Sequence, residues 1–223
     1  MEDVKGEVVI RDQSINLSDL CMSSNIGSGD LTMVYTTKTD QEATMGFELS
    51  LNDILVERLI SLFPDIDTLV PMLRSFEGMV DCQMTATCKA DSTMSVLLPS
   101  VNASCYLSGK NMVLLDGETF TEISKTLMFK NKKRNMIDSI AVDLAIHDNK
   151  IEVFPFLVEM DRYKVAVGGT HNLDMTFDYH LSVLKSPVPF KLGIDIKGIW
   201  MISSFKIVKC KYKDFLKTCQ ASG

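Results

Sequence analysis

The sequence predicts a mainly β fold: a long, curved antiparallel β-meander sheet, an open groove or half-barrel, with two or three short covering helices. Three observations predict it. From Leu173 to Val183 every odd position is apolar (Leu173, Met175, Phe177, Tyr179, Leu181, Val183) and every even one polar. That is a strand with one greasy face and one wet face. It would run about eleven residues, roughly 36 Å, where five or six residues are usual. Second, the C-terminal half reads as strands at 136–147, 150–160, 163–171, 173–185, 190–198 and 200–212. Their connections are hairpin-short, and a parallel crossover needs a dozen residues or more. Third, helical periodicity is confined to three short stretches.

In chain order, residues 4–11, 14–22, 30–38 and 42–50 read as strands. Gly27 and Gly29 mark one turn, and Thr39-Asp40-Gln41 another. The period then changes: Ile54, Leu55, Leu59, Leu62 and Phe63 follow helical spacing. Ser50 and Asp53 resemble a capping box, and Pro64 stops the helix. A second short helix at about 66–75 carries Leu69, Val70 and Leu73, so 51–75 reads as a helical insertion covering one end of the sheet.

Strand reading resumes over 78–91, then near 101–109 and 111–115. Thr119 and Glu122 form a second capping-box pattern, with Phe120, Ile123 and Leu127 as the stripe of a covering helix at 117–129. Asp148-Asn149 is a tight hairpin signal and His171-Asn172 a weaker one. Pro187-Val188-Pro189 bends or interrupts the sheet, because proline cannot donate to a ladder. The whole chain, 1–223, reads as a single β-groove domain.

The net charge is −6, which argues against a general nucleic-acid binder. One basic run, Lys130 with Lys132, Lys133 and Arg134, reads first as a solvated loop and second as an anion or lipid-headgroup site. No secretory signal or membrane-spanning run is visible, and strand-like sequence begins at Val4. The expectation is a C-terminal fragment of a longer protein. The six cysteines include no CxxC and no zinc-finger spacing. Cys82 and Cys88 share the apolar parity of their strand and read as buried thiols acting as small hydrophobes, ahead of a disulfide framework.

Catalysis has little to stand on. No GxSxG, P-loop or GxGxxG occurs, and the acidic residues are scattered. His180 shares a strand face with Asp178, Asp174 and Asn172, a conceivable metal site. Polar residues on the wet side of a sheet are the plainer reading, so the face is expected to be the solvent side. No enzyme activity, catalytic residue, metal or cofactor is expected. The 14 methionines read first as core packing, and second as a surface that accepts variable apolar partners.

Residues 76–198 carry a resemblance. The segment FEGMVDCQMTATCKAD, the LDG–helix segment at 115–128, the hairpin run from IAVDLAIHDNKIEVFPFLVEM to THNLDMTFDYHLSV, and the closing PFKLGIDIKG follow in order. Together they resemble the C-terminal region of AsmA-like proteins, particularly a Bacteroidetes branch. That family is similar to the bridge-like lipid-transfer proteins. The resemblance implies a periplasmic segment of an inner-membrane-anchored protein, taking part in outer-membrane and cell-envelope biogenesis. It implies an apolar β-sheet groove carrying phospholipid or another acyl-chain lipid, with membrane contact made through parts of the full-length protein outside this chain.

Diffuse apolar contact can hold an acyl chain at about 0.8 kcal/mol per buried methylene, with no short motif to find. The expected lining is Val80, Met84, Ile140, Val142, Leu144, Met175, Phe177, Leu181 and Ile194. For each, a closed core is the competing reading. The competing function is an assembly module that docks other envelope proteins without carrying lipid.

Overall fold

The computed structural model describes residues 3–24, 27–39, 42–62, 75–91, 93, 95–115, 134–160, 162–187, 191–199 and 202–215. The strands are β1 (Asp3–Arg11), β2 (Ser14–Ser24), β3 (Gly27–Thr39), β4 (Glu42–Leu55), β5 (Phe76–Glu77), β6 (Met79–Ala90) and β7 (Asn102–Leu115). They continue as β8 (Arg134–His147), β9 (Lys150–Met160), β10 (Tyr163–Asn172), β11 (Thr176–Lys185), β12 (Leu192–Ile199) and β13 (Ile202–Val208). All thirteen form one sheet, ordered β1-β2-β3-β4-β6-β7-β8-β9-β10-β11-β12-β13, with the short β5 on β7. Every pairing is antiparallel. The meander is therefore as the alternation predicts, and its path begins at β1 and ends at β13 without closing into a barrel.

The hairpins follow from local chemistry. Asp148 and Asn149 both take positive φ (51° and 61°), as do Asp12 and Gln13 (39° and 67°). Two consecutive positive-φ residues make the primed turn whose twist matches the flanking strands.

Several sequence expectations are corrected. Residues 51–55 are strand rather than helix, and among the described residues α1 is Val56–Leu62. Ser50 and Asp53 cap nothing: both lie in β4, where the register shifts between Leu51 and Ile54. Asp53 sits there at φ 54°, and its amide donates to Asp81 Oδ1 at 3.0 Å. A bulge turns an apolar spacing of two into three, which reads as helix in sequence. Gly27 and Gly29 lie inside β3 rather than in a turn. Residues 101–115 form one strand from Asn102, bent at Asn111 (φ 52°), rather than two.

The long strand predicted over 173–185 begins only at Thr176, because Leu173, Asp174 and Met175 form the turn after β10, with Met175 at φ 70°. The last strand stops at Val208 instead of 212. The predicted helices at 66–75 and 117–129 lie outside the described residues, except for Ser75. So do Lys130, Lys132, Lys133, Val188 and Pro189.

Helix α1 lies where β4 ends: the Val56 amide donates to the Gly78 carbonyl at 3.1 Å, and Val56 and Leu59 are buried. Gly78 takes φ 134°, and a Cβ there would meet Met112 Sδ at 2.8 Å, so the crossing requires glycine.

Leu49, Val80, Cys82, Cys105, Ile137, Leu144 and Ile151 belong to the main apolar cluster, drawn from α1 and strands β4 and β6–β9. A second cluster, Tyr163, Leu181, Val183, Ile194 and Ile196, spans β10–β12. Cys82 and Cys88 are buried free thiols, as their parity predicts. Ile151 is fully enclosed, so Ile151→Ala should cost about 2–5 kcal/mol in urea unfolding. Ile10, largely exposed on edge strand β1, should tolerate alanine within about 0.5 kcal/mol.

Candidate functional site

The sheet keeps one face apolar from end to end. One transverse row runs Leu20, Leu31, Leu49, Met84, Cys105 and Leu144 from β2 to β8, each residue opposite the next. It continues through Val153, Gly169, Tyr179, Ile196 and Phe205 on β13. At about 4.8 Å per strand the row has an arc length of roughly 50 Å. The adjacent row on the other face is almost wholly polar: Thr32, Glu48, Thr85, Ser104, Ala145, Glu152, Thr170, Asp178, Lys197 and Ser204.

Bulges preserve this separation. On β2 the apolar positions step from Leu17 to Leu20 around Asp19 (φ 52°), and on β4 from Leu51 to Ile54 around Asp53. On β9 they step from Val153 to Phe156 around Pro155, opposite the register shift between Val167 and Gly169. Aspartate tolerates positive φ, and proline is accepted at a bulge.

Eight of the nine expected lining residues lie in strands, on this face or packed in its clusters. Val80, Leu144, Leu181 and Ile194 are buried core. Met84, Ile140, Val142 and Phe177 are half-buried. Met175 is not on the strand: it sits in the turn before β11. The exposed part of the apolar face is instead at the sheet margins, which the sequence reading did not single out. Val4, Val8 and Ile10 on β1 and Met22 on β2 are exposed, as is Ile207 on β13. Their parity, carried by register from the buried rows, was the available signal.

Among the described residues, His171 and Asn135 are buried polar side chains on the apolar parity. His171, opposite Ile151 and Phe177, is 4% exposed, and its Nε2 has no hydrogen-bond partner. Burial holds its pKa below the usual histidine value. Tyr179, in the central row, is pushed up to about 12 by burial and stays neutral.

The opposite face holds a different arrangement. His180 is not on the solvent side: it is 3% exposed, and Ser182 beside it is fully buried. His180 Nδ1 lies 2.5 Å from Asp195 Oδ1, and Nε2 lies 2.9 Å from Ser182 Oγ. The order hydroxyl, imidazole, carboxylate is that of a nucleophile, base and orienter. Here, however, Ser182 Oγ accepts the Tyr212 amide at 3.0 Å and faces no solvent. Asp178 pairs with Lys197 at 2.5 Å, which raises the lysine pKa. Among the described residues, no group of three or more His, Cys, Asp or Glu is placed to hold a metal ion.

The same polar face carries a shallow hollow of about 430 Å³ over β4 and β6–β9, with Glu48, Gln83, Tyr106, Asp143 and Phe154 among its lining. It lies across the sheet from the exposed apolar margins. Comparison with known proteins returns no matching family model, no matching curated protein and no matching solved structure.

His171 gives a pH test. A histidine with a depressed folded pKa binds fewer protons folded than unfolded, so stability falls as pH drops through about 6.5, the unfolded value. His171→Phe should flatten this slope between about pH 7.5 and 5.5. At neutral pH it should leave stability unchanged or raise it by about 1–2 kcal/mol, because an unsatisfied buried nitrogen is removed. Paired urea titrations at each pH measure both effects.

Proposed function

We propose that this chain is a non-enzymatic lipid-carrying segment of an envelope protein resembling the AsmA-like family. In this reading it acts in the periplasm, as part of an inner-membrane-anchored protein, and offers phospholipid acyl chains a continuous apolar wall toward the outer membrane. The observation that carries the reading is the unbroken apolar row from β2 to β13, with exposed apolar side chains at the margins. A sheet that only closed its own core would have no need of Val4, Val8 and Ile10 on the apolar face of its edge strand. Those residues continue the wall to where a chain can enter or pass to further strands. Affinity would come from summed methylene burial, about 0.8 kcal/mol each, rather than from a polar anchor.

One observation favours a second reading, the assembly module. Both β1 and β13 are edge strands bearing exposed apolar residues, a template for strand addition by a partner protein. Native mass spectrometry of the purified chain, mixed with detergent-solubilised phospholipid, separates the two. The lipid reading expects one or more retained lipids, and at least tenfold weaker retention in a Val8→Arg, Ile10→Glu double variant that keeps its β circular dichroism. A lipid-free chain, or unchanged retention in the variant, would count against it. Capture of a defined envelope protein along β1 or β13 in the same lipid-free state would support the module.

A further inference from the structure

We propose that Lys209–Phe215 is an acid-opened latch, closed over the polar face of β10–β12 while His180 Nε2 carries no proton. After β13 the chain leaves the sheet and folds back across this face. The Lys211 amide donates to His180 Nε2 at 3.2 Å, and the Tyr212 amide donates to Ser182 Oγ at 3.0 Å. The Lys211 ammonium donates to Asp195 Oδ1 at 3.0 Å, and Lys191 donates to the Lys213 carbonyl at 3.2 Å. The Tyr212 ring meets His180 edge-on, with centroids 5.3 Å apart. Two glycines make room. A Cβ at Gly168 would meet Tyr212 Oη at 2.9 Å, and one at Gly193 would meet the Lys209 carbonyl at 2.6 Å and His180 Cε1 at 2.7 Å. The segment is built against this face rather than lying loosely on it.

The proton on the imidazole decides the state. A backbone amide can only donate, so Nε2 must be the bare nitrogen and Nδ1 carries the proton toward Asp195. Protonation of Nε2 sets one N–H against another and removes the acceptor for Lys211. Ser182 can turn to accept from the imidazolium, but Lys211 has no replacement.

The groups around the ring pull in both directions. On β12, Asp195 attracts the imidazolium, and Lys197 is engaged with Asp178 of β11. On the latch, the Lys211 ammonium repels it. On β13, Lys206 lies opposite Asp195 in the register. On β10, Gly168 stands opposite His180 and brings no charge. The carboxylate–imidazolium pair is thus strengthened while the latch's own bond is lost, so acid shifts the bonding from latch to sheet.

Amide hydrogen exchange read by NMR on the intact chain tests this. At about pH 8 the His180 ring should show the Nδ1–H tautomer, with the Lys211 and Tyr212 amides protected. At about pH 5 their exchange, corrected for intrinsic rate, should rise roughly tenfold, while the Leu181 and Ile194 amides in the sheet stay protected. Gly193→Ala should deprotect the same two amides at both pH values. If that variant fails to fold, the wild-type pH series decides alone. An Nε2–H tautomer at pH 8, or protection of the Lys211 amide that is the same at pH 8 and pH 5, would overturn the proposal.

Discussion

Everything in this molecule depends on keeping apolar side chains on one face through eleven consecutive antiparallel pairings. A slip of one residue in any strand would carry its apolar set to the wet face. The chain contains many irregularities that could cause this, and each is placed so that it does not. Asp19 and Asp53 take the left-handed backbone that a bulge requires, and Pro155 sits where a ladder donor is dispensable. After each, the apolar sequence resumes in phase: Leu17 to Leu20, Leu51 to Ile54, Val153 to Phe156. The bulges also add local twist, which a sheet of this width needs.

The two faces then take separate roles. Over the middle strands the apolar face is consumed by core packing, with α1 contributing Val56 and Leu59. Toward β1 it is left open, with Val4, Val8 and Ile10 exposed. On the polar face, β10–β12 are covered by the chain's own return, whose fit needs Gly168 and Gly193 and whose bonding needs an unprotonated nitrogen on His180. The returning segment lies on the polar face of β10–β12, away from the exposed apolar residues of β1.

Much of the architecture was legible in the sequence. Alternation located the strands, Asp148-Asn149 the primed hairpin, and parity the burial of Cys82 and Cys88. What was illegible has physical causes. The step from Leu51 to Ile54 is a bulge, but spacing of three is also the helix signature, so the helix was placed too early. Leu173 and Met175 matched the strand alternation by position while belonging to a turn. His180 sits on the polar parity, and nothing local announces that a segment some thirty residues later buries it. Among the expected lining residues, pattern alone could place Val80 and Leu144 on the apolar face. It could not say that the core encloses them while Val8 and Ile10 stay open.

The central claim is that the apolar face continues, uncovered, to the edge of the sheet and meets lipid there. The most direct test is a photo-cross-linking amino acid placed singly at Glu7, Val8, Val9 and Ile10 of β1, with the chain incubated with phospholipid and irradiated. The account predicts a period-two pattern, with lipid adducts from positions 8 and 10 and few from 7 and 9. Adducts of equal yield at all four positions, or at none, would contradict it.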